Sequence, residues 1–202
     1  MADNSIVLTK GEGISLSKDG GLSLQKEDVY GGELRINLNW SQPTAPGAPG
    51  IDLDLCCLFE LQDGSRGSVQ ALGNFFGSTT QPPYISLDGD DRTGESDGGE
   101  NLRLNMEKVP FIRRLLVFAY IYEGTPDWKT ANPVVTLTCP GHRDIIVKMD
   151  EYGQTERACA IALLENHGNV TFRVRKEIKF FPGHIAMDEY YHWGIQWVPC
   201  RK

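Results

Sequence analysis

Leu115-Leu116-Val117-Phe118-Ala119-Tyr120-Ile121-Tyr122 is apolar at odd and even positions alike. Successive side chains of a strand point to opposite faces, so this run describes a central strand buried on both sides. The runs around it are half-buried in pattern. Leu34, Ile36, Leu38 and Trp40 alternate with polar residues, as do Ile51, Leu53 and Leu55. Further strands are predicted over 134–138, 145–148, 158–164 and 170–175, with 22 Gly and 11 Pro marking the gaps. Many short strands at turn-punctuated spacing predict an all-β protein, a two-sheet β-sandwich. Gly13–Lys18 and Gly21–Lys26 both read G-φ-S-φ-polar-K across Asp19-Gly20, which predicts a hairpin. The proline-rich stretch 43–50 cannot continue a sheet and reads as a crossover or lip. One short helix is predicted at 187–193, stopped by Gly194.

The chain has 202 residues, 40% of them apolar and 23% charged, which fits one globular unit with a substantial core. Its 27 acidic residues against 20 Lys and Arg leave a net charge of −7. That balance excludes a nucleic-acid binder, which needs a basic face. An anionic membrane is an equally poor partner unless a cation bridges the two surfaces. No apolar run is long enough to span a bilayer, and Met1-Ala2-Asp3-Asn4 lacks the features of a signal peptide. Five cysteines, two of them adjacent, do not read as a disulfide framework. We therefore expect a cytoplasmic protein with reduced thiols. Cys-x-x-Cys spacing is absent and the four histidines are scattered, so a structural zinc site is not expected.

Residues 88–100 read Asp-Gly-Asp-Asp-Arg-Thr-Gly-Glu-Ser-Asp-Gly-Gly-Glu. Like charges ~4 Å apart repel by about 1 kcal/mol in water and about 4 kcal/mol at a surface-like dielectric. A divalent cation relieves that repulsion, and hard oxygen donors on a glycine-hinged backbone suit Ca²⁺. The loop is not an EF-hand: counted from Asp88, Thr93 and Gly99 stand where Gly and Glu are required. Asp52 and Asp54 alternate with Ile51, Leu53 and Leu55, so both carboxylates share one strand face, roughly 6.6 Å apart. Either they face water or a cation bridges them. With the acidic loop alongside, one shared site is the expectation.

The chain resembles the TerD family, named for tellurite resistance, and looks most like its TerA-like branch. The resemblance rests on Gly13–Lys18, Leu34–Trp40, the D-x-D strand at 51–55, the acidic loop at 87–101, Leu115–Gly124, Ala160–Glu165, and Gly183–Asp188 through Trp193-Gly194. It implies a single calcium-binding domain over 1–202, a β-sandwich of the TerD type with a short C-terminal helix and an aromatic tail (183–202) packed on it. It implies Ca²⁺ at one end of the sandwich and a place in tellurite and chemical-stress resistance, with other proteins of such an assembly as partners and no enzymatic activity. Carried over position by position, the ligands are Asp52, Asp54, Asp90, Glu95, Asp97 and Glu100, with Asp88 and Asp91 weaker. The chain departs from the family in having Asn39-Trp40-Ser41 where many members have Gly-Trp-Asp, and Gly99 where a carboxylate is frequent.

Other residues are read more plainly. Arg92 is an internal counter-ion of the acidic loop, Cys57 a core residue by parity, and the tail aromatics packing residues. Cys56 shares the Asp52 and Asp54 parity, where surrounding acids oppose a thiolate. Two other function classes use the same carboxylates. A membrane-recruitment module at the inner face of the membrane would use Ca²⁺ with Phe75, Phe76 and Tyr84 as tips. A metal-dependent phosphoester hydrolase would need a general acid and a phosphate clamp, for which the sequence offers only Arg92.

Overall fold

The computed structural model describes residues 32–91, 98–139, 143–149, 152 and 155–199, together with the backbone of Ile6–Val7 and Gly13–Ser15. Its strands run in chain order as β1 (Ile6–Val7), β2 (Gly13–Ser15), β3 (Glu33–Asn39), β4 (Asp52–Leu61), β5 (Arg66–Val69), β6 (Gly77–Ser78) and β7 (Ile85–Leu87). They continue as β8 (Glu100–Asn105), β9 (Ile112–Glu123), β10 (Val134–Thr138), β11 (Ile145–Lys148), β12 (Ala158–His167) and β13 (Thr171–Phe181). One sheet has the order β1-β11-β10-β3-β8-β7-β6 and the other β2-β13-β12-β9-β4-β5. All described pairings are antiparallel except β1 with β11. This is the two-sheet sandwich that the alternation predicts. The 43–50 stretch carries the chain from one sheet to the other.

β9 explains why its sequence is apolar on both parities. Val117, Ala119 and Ile121 join Leu53, Leu55 and Cys57 of β4 and Leu34, Ile36 and Leu38 of β3 in the core between the sheets. Leu116 and Phe118 face the other way, into a second cluster with Cys56, Leu58, Ala158, Ala160, Met187 and Trp193. That outer face is covered by α2 (His184–Tyr191) and the tail behind it; a single turn, α1 (Trp128–Ala131), precedes β10. α2 starts three residues before the predicted helix, directly after Pro182-Gly183 ends β13. It stops at His192, whose left-handed backbone (φ 55°) returns its N–H to the Asp188 and Glu189 carbonyls. Gly194 lies beyond that stop. β13 runs six residues past the predicted strand because Lys176-Glu177 interrupts the apolar pattern there. Of the predicted N-terminal hairpin, Gly13–Ser15 pairs with β13, and its second half lies outside the described residues.

Two carboxylates hold the C-terminal cap. Glu60, 1% exposed, receives Arg114 Nε at 2.6 Å and Arg66 and Arg113 at 3.1 Å each. Arg114 donates onward to the Tyr191 and His192 carbonyls (3.0 Å each) and lies 3.9 Å over the Trp193 ring; Arg66 donates to the Trp193 carbonyl at 2.8 Å. Asp188 accepts from Gly194 N (2.6 Å), Ile195 N (2.9 Å) and Trp197 Nε1 (2.7 Å). Burial alone would push the Glu60 carboxyl up. The Arg114 hydrogen bond and the charges of Arg114, Arg113 and Arg66 outweigh it and hold the carboxyl below the ordinary value of 4.5. A depressed carboxyl contributes stability that is present above its unfolded value and lost as pH falls through the folded one. Glu60→Gln is therefore expected to flatten the fall in stability below about pH 4.5, read by urea denaturation across a pH series.

Candidate metal centre

β5 pairs with β4 only from Cys57 to Glu60, which leaves the edge of β4 open beside Asp52 and Asp54. The loop between β7 and β8 crosses this edge from the opposite sheet. Glu100, the first residue of β8 and 1% exposed, brackets it: one carboxylate oxygen accepts from Leu55 N at 2.5 Å, the other from Asp91 N at 3.0 Å. A single side chain thus joins the β4 edge, β8 and the loop. At the loop base, Asp88 accepts from Asn101 N and Nδ2 at 3.0 Å each and faces Arg103 at 3.5 Å. On the returning side, Asn37 Nδ2 donates to the Gly98 carbonyl at 2.6 Å and to Asn101 Oδ1 at 2.9 Å, and Asn39 Nδ2 donates to Asn37 Oδ1.

These ties carry Asp90 to the β4 pair. Carboxylate oxygens of Asp52, Asp54 and Asp90 all lie within 4.8 Å of one another. Asp52 is 5% and Asp54 1% exposed, and three of their four oxygens are shut off from solvent. The outer-face reading, with both aspartates in water, therefore does not describe them. Two oxygens bound to one Ca²⁺ sit at most about 5 Å apart, twice a Ca–O distance of 2.3–2.6 Å. The spacing fits a shared hard cation, and so does a donor set made of oxygen alone. Soft transition metals prefer nitrogen and sulfur.

Of the residues expected at the site, the structure brings together Asp52, Asp54 and Asp90. It places Glu100 against the same edge with both oxygens on backbone amides. Asp88 anchors the loop base, and Asp91 supplies its N–H to Glu100. Glu95 and Asp97 lie outside the described residues, as does Arg92. The sequence reading overlooked Asn37, Asn39 and Asn101. Asn37 and Asn39 sit at alternate positions of β3, the only hint that this polar face does more than meet water.

Gly99 explains one departure from the family pattern. Its φ is +55°, and a Cβ there would lie 2.1 Å from the Leu38 carbonyl and 2.6 Å from Asn39 Oδ1. No side chain fits, so a carboxylate cannot stand at this position. Gly99→Ala is expected to lower stability by about 2–4 kcal/mol, combining a disfavoured backbone with a main-chain clash. Differential scanning calorimetry checks this, and an unchanged melt would contradict the described turn.

One thiol lies beside the cluster: Cys56 Sγ donates to the Asp54 carbonyl at 3.8 Å. Cys56, Cys57, Cys139 and Cys159 are buried, and burial pushes the Cys57 thiol far up and that of Cys139 up to about 11. A thiolate, the species that attacks or ligates soft oxyanions, is therefore disfavoured at both. Of the three aromatic tips named for a membrane, Phe75 is exposed and the other two are placed otherwise. Tyr84 lies 5.6 Å from Phe111, at the Ile112–Leu61 end of the β9–β4 pair, whereas Asp52 pairs with Glu123 at the other end. Phe76 is packed against the core. No helix among the described residues is long and apolar enough to cross a membrane.

Comparison with known proteins identifies the family and the fold. The chain is 40% identical over 199 residues to the tellurium resistance protein TerA of an Alcaligenes species, an alignment covering 94% of this chain and 58% of that protein. The chain thus spans somewhat more than half of that relative's length. Among solved structures it resembles a homologue of the telluride resistance protein TerD from Streptomyces coelicolor, with TM-score 0.57 and 18% identity over 77% of this chain and 94% of that one. It also resembles a protein of unknown function, with TM-score 0.59 and 18% identity over 81% of this chain and 98% of that one. Both share the sandwich fold. The TerD domain model matches residues 13–139, which contain β4, the acidic loop and Glu100, and the chain therefore belongs to the TerD family.

Proposed function

We propose that this protein is a calcium-binding β-sandwich of a tellurite and chemical-stress resistance system, and that it works as a calcium-dependent interaction module. The observation that carries the reading is the convergence of Asp52, Asp54 and Asp90 within 4.8 Å at the edge where the two sheets meet. The name of the Alcaligenes relative supports the resistance role. Asp52 and Asp54 sit on a rigid strand, while Asp90 sits on a loop tied down by Glu100 and Asp88. A cation held between strand and loop would neutralise the cluster and fix the course of the loop. The 88–100 rim is then the surface that changes with calcium, and a protein partner of the resistance assembly would read it.

The test is thermal denaturation of chelator-stripped protein with added calcium. Saturation at about 100 times the dissociation constant adds about 2.7 kcal/mol. For a domain of this size that is a rise of roughly 5–10 °C. Magnesium, which demands a stricter octahedron and keeps its waters, is expected to give a much smaller rise. Identical melts in chelator and in millimolar calcium would count against the reading.

A further inference from the structure

Both arms of the acidic loop are tied through one side-chain amide. Asn101 of β8 is buried and is the cross-strand partner of Asn37 on β3. Its Nδ2 donates to Asp88 Oδ2 at 3.0 Å, and its Oδ1 accepts from Asn37 Nδ2 at 2.9 Å. The main chain repeats the first tie: Asn101 N donates to Asp88 Oδ1, and Asp88 N donates to the Asn101 carbonyl, each at 3.0 Å. Asp88 lies on the outgoing arm, which leads into Asp90. On the returning arm, Asn37 Nδ2 also donates to the Gly98 carbonyl at 2.6 Å. The side-chain bonds run in one direction, from Asn39 through Asn37 and Asn101 to Asp88. Position 101 must accept on one side and donate on the other, which an amide does and a carboxylate or alkyl group does not. A buried network of this kind holds one geometry only while every member is satisfied.

We propose that Asn101 is a positioning residue for calcium: it closes the neck of the loop and so sets Asp90 beside Asp52 and Asp54 before the ion arrives. The inference rests on the calcium reading of that cluster. The Asn101 side chain is committed to Asp88 and Asn37, so it acts through Asp90 and not as a ligand. A site assembled for only a fraction of the time loses affinity in proportion to that fraction. Opening the neck therefore weakens binding even where the sandwich itself stays folded. Asn101→Asp separates this effect from simple charge attraction. It adds a negative charge beside an acidic loop, which by Coulomb attraction alone would tighten calcium binding. It also sets a second carboxylate against Asp88, where the native bond needs a donor, and that opens the neck.

The test is calorimetric titration of the chelator-stripped full chain with calcium chloride, well below the melting temperature of each variant. Asn101→Asp is expected to bind calcium about tenfold more weakly than the wild type, as for a neck closed about one tenth of the time. Asn37→Ala removes the donor to each arm and is expected to weaken binding about fivefold, which keeps the test decisive if Asn101→Asp does not fold. The exchanged pair, Asp88→Asn with Asn101→Asp, reverses donor and acceptor at unchanged net charge. It is expected to restore the affinity to within about threefold of the wild type. A merely structural role would lower the melt in chelator and leave the affinity of the folded protein where it was. Wild-type or tighter affinity in Asn101→Asp (or in Asn37→Ala, if that variant stands in) overturns the positioning role and leaves the calcium site standing, as does an exchanged pair no tighter than the single variant. A wild-type protein that takes up no calcium overturns both.

Discussion

Asp54→Asn is expected to raise the melting temperature of the metal-free protein and, in the same variant, to abolish the rise that calcium produces. Three carboxylates within 4.8 Å repel one another, and two of them are almost fully buried. At this separation each ionised pair is unfavourable by up to about 4 kcal/mol at an effective dielectric of 20. Relaxation of the loop and water entering the cluster relieve part of that, so the net gain from one isosteric amide is about 1–3 kcal/mol, or roughly 3–8 °C. The same change removes a charged ligand, so the calcium-induced rise disappears. Opposite signs in chelator and in calcium are what distinguish a cation site from an ordinary packing residue. Asp88→Asn is the control. Asp88 already holds Asn101 and Arg103 at the loop base, so its variant is expected to lose some stability in both conditions and to keep the calcium response. Scanning calorimetry of both variants, with and without calcium, provides the four numbers needed.

Asp188→Ala is expected to produce the largest loss of stability of any substitution outside the core. Its carboxylate receives three donors that turn the chain from α2 into the tail. Hydrogen bonds to a charged group are worth about 1.5–3 kcal/mol each, and three on one side chain do not add fully, so a total of about 3–5 kcal/mol follows. That corresponds to a fall on the order of 10 °C. Released from Asp188, the tail no longer holds Trp193 over Cys56, Leu58, Leu116 and Phe118. Binding of a dye that reports exposed apolar surface should rise with the loss of stability. Asp188→Asn, which keeps one acceptor oxygen and the same shape, should lose less than half as much. A wild-type denaturation midpoint for Asp188→Ala would show that the tail does not depend on this hub.

The sandwich was legible because its strands obey simple parity. β3, β10 and β11 fall where alternation puts them, and β9 shows burial on both faces. The short strands β5 to β7 were not legible, because two to four residues rich in Gly and Ser carry too little pattern, and β8 alternates only at Leu102 and Leu104, behind an acidic loop that drew the reading to its charge. α2 was misplaced by three residues because its boundary is set by Pro182-Gly183 and a left-handed His192, neither of which belongs to the apolar period. At the site, Asp52 and Asp54 could be read from strict alternation, and Asp90 from charge density. Which acids meet depends on long-range contacts: the Glu100 bracket spans 45 residues to Leu55, and the Asn37 tie spans 61 residues to Gly98. Glu60 and Asp188 escaped notice for the same reason. An acid in a strand or helix looks solvated until the arginines and amides that bury it are in place.

The most direct measurement is anomalous diffraction from crystals of this protein soaked in a heavier divalent or trivalent calcium substitute. A strong peak within bonding distance of carboxylate oxygens from Asp52, Asp54 and Asp90 is the predicted result. A fully soaked crystal with no peak between β4 and the loop, or with its peaks only on outlying surface acids, would contradict it.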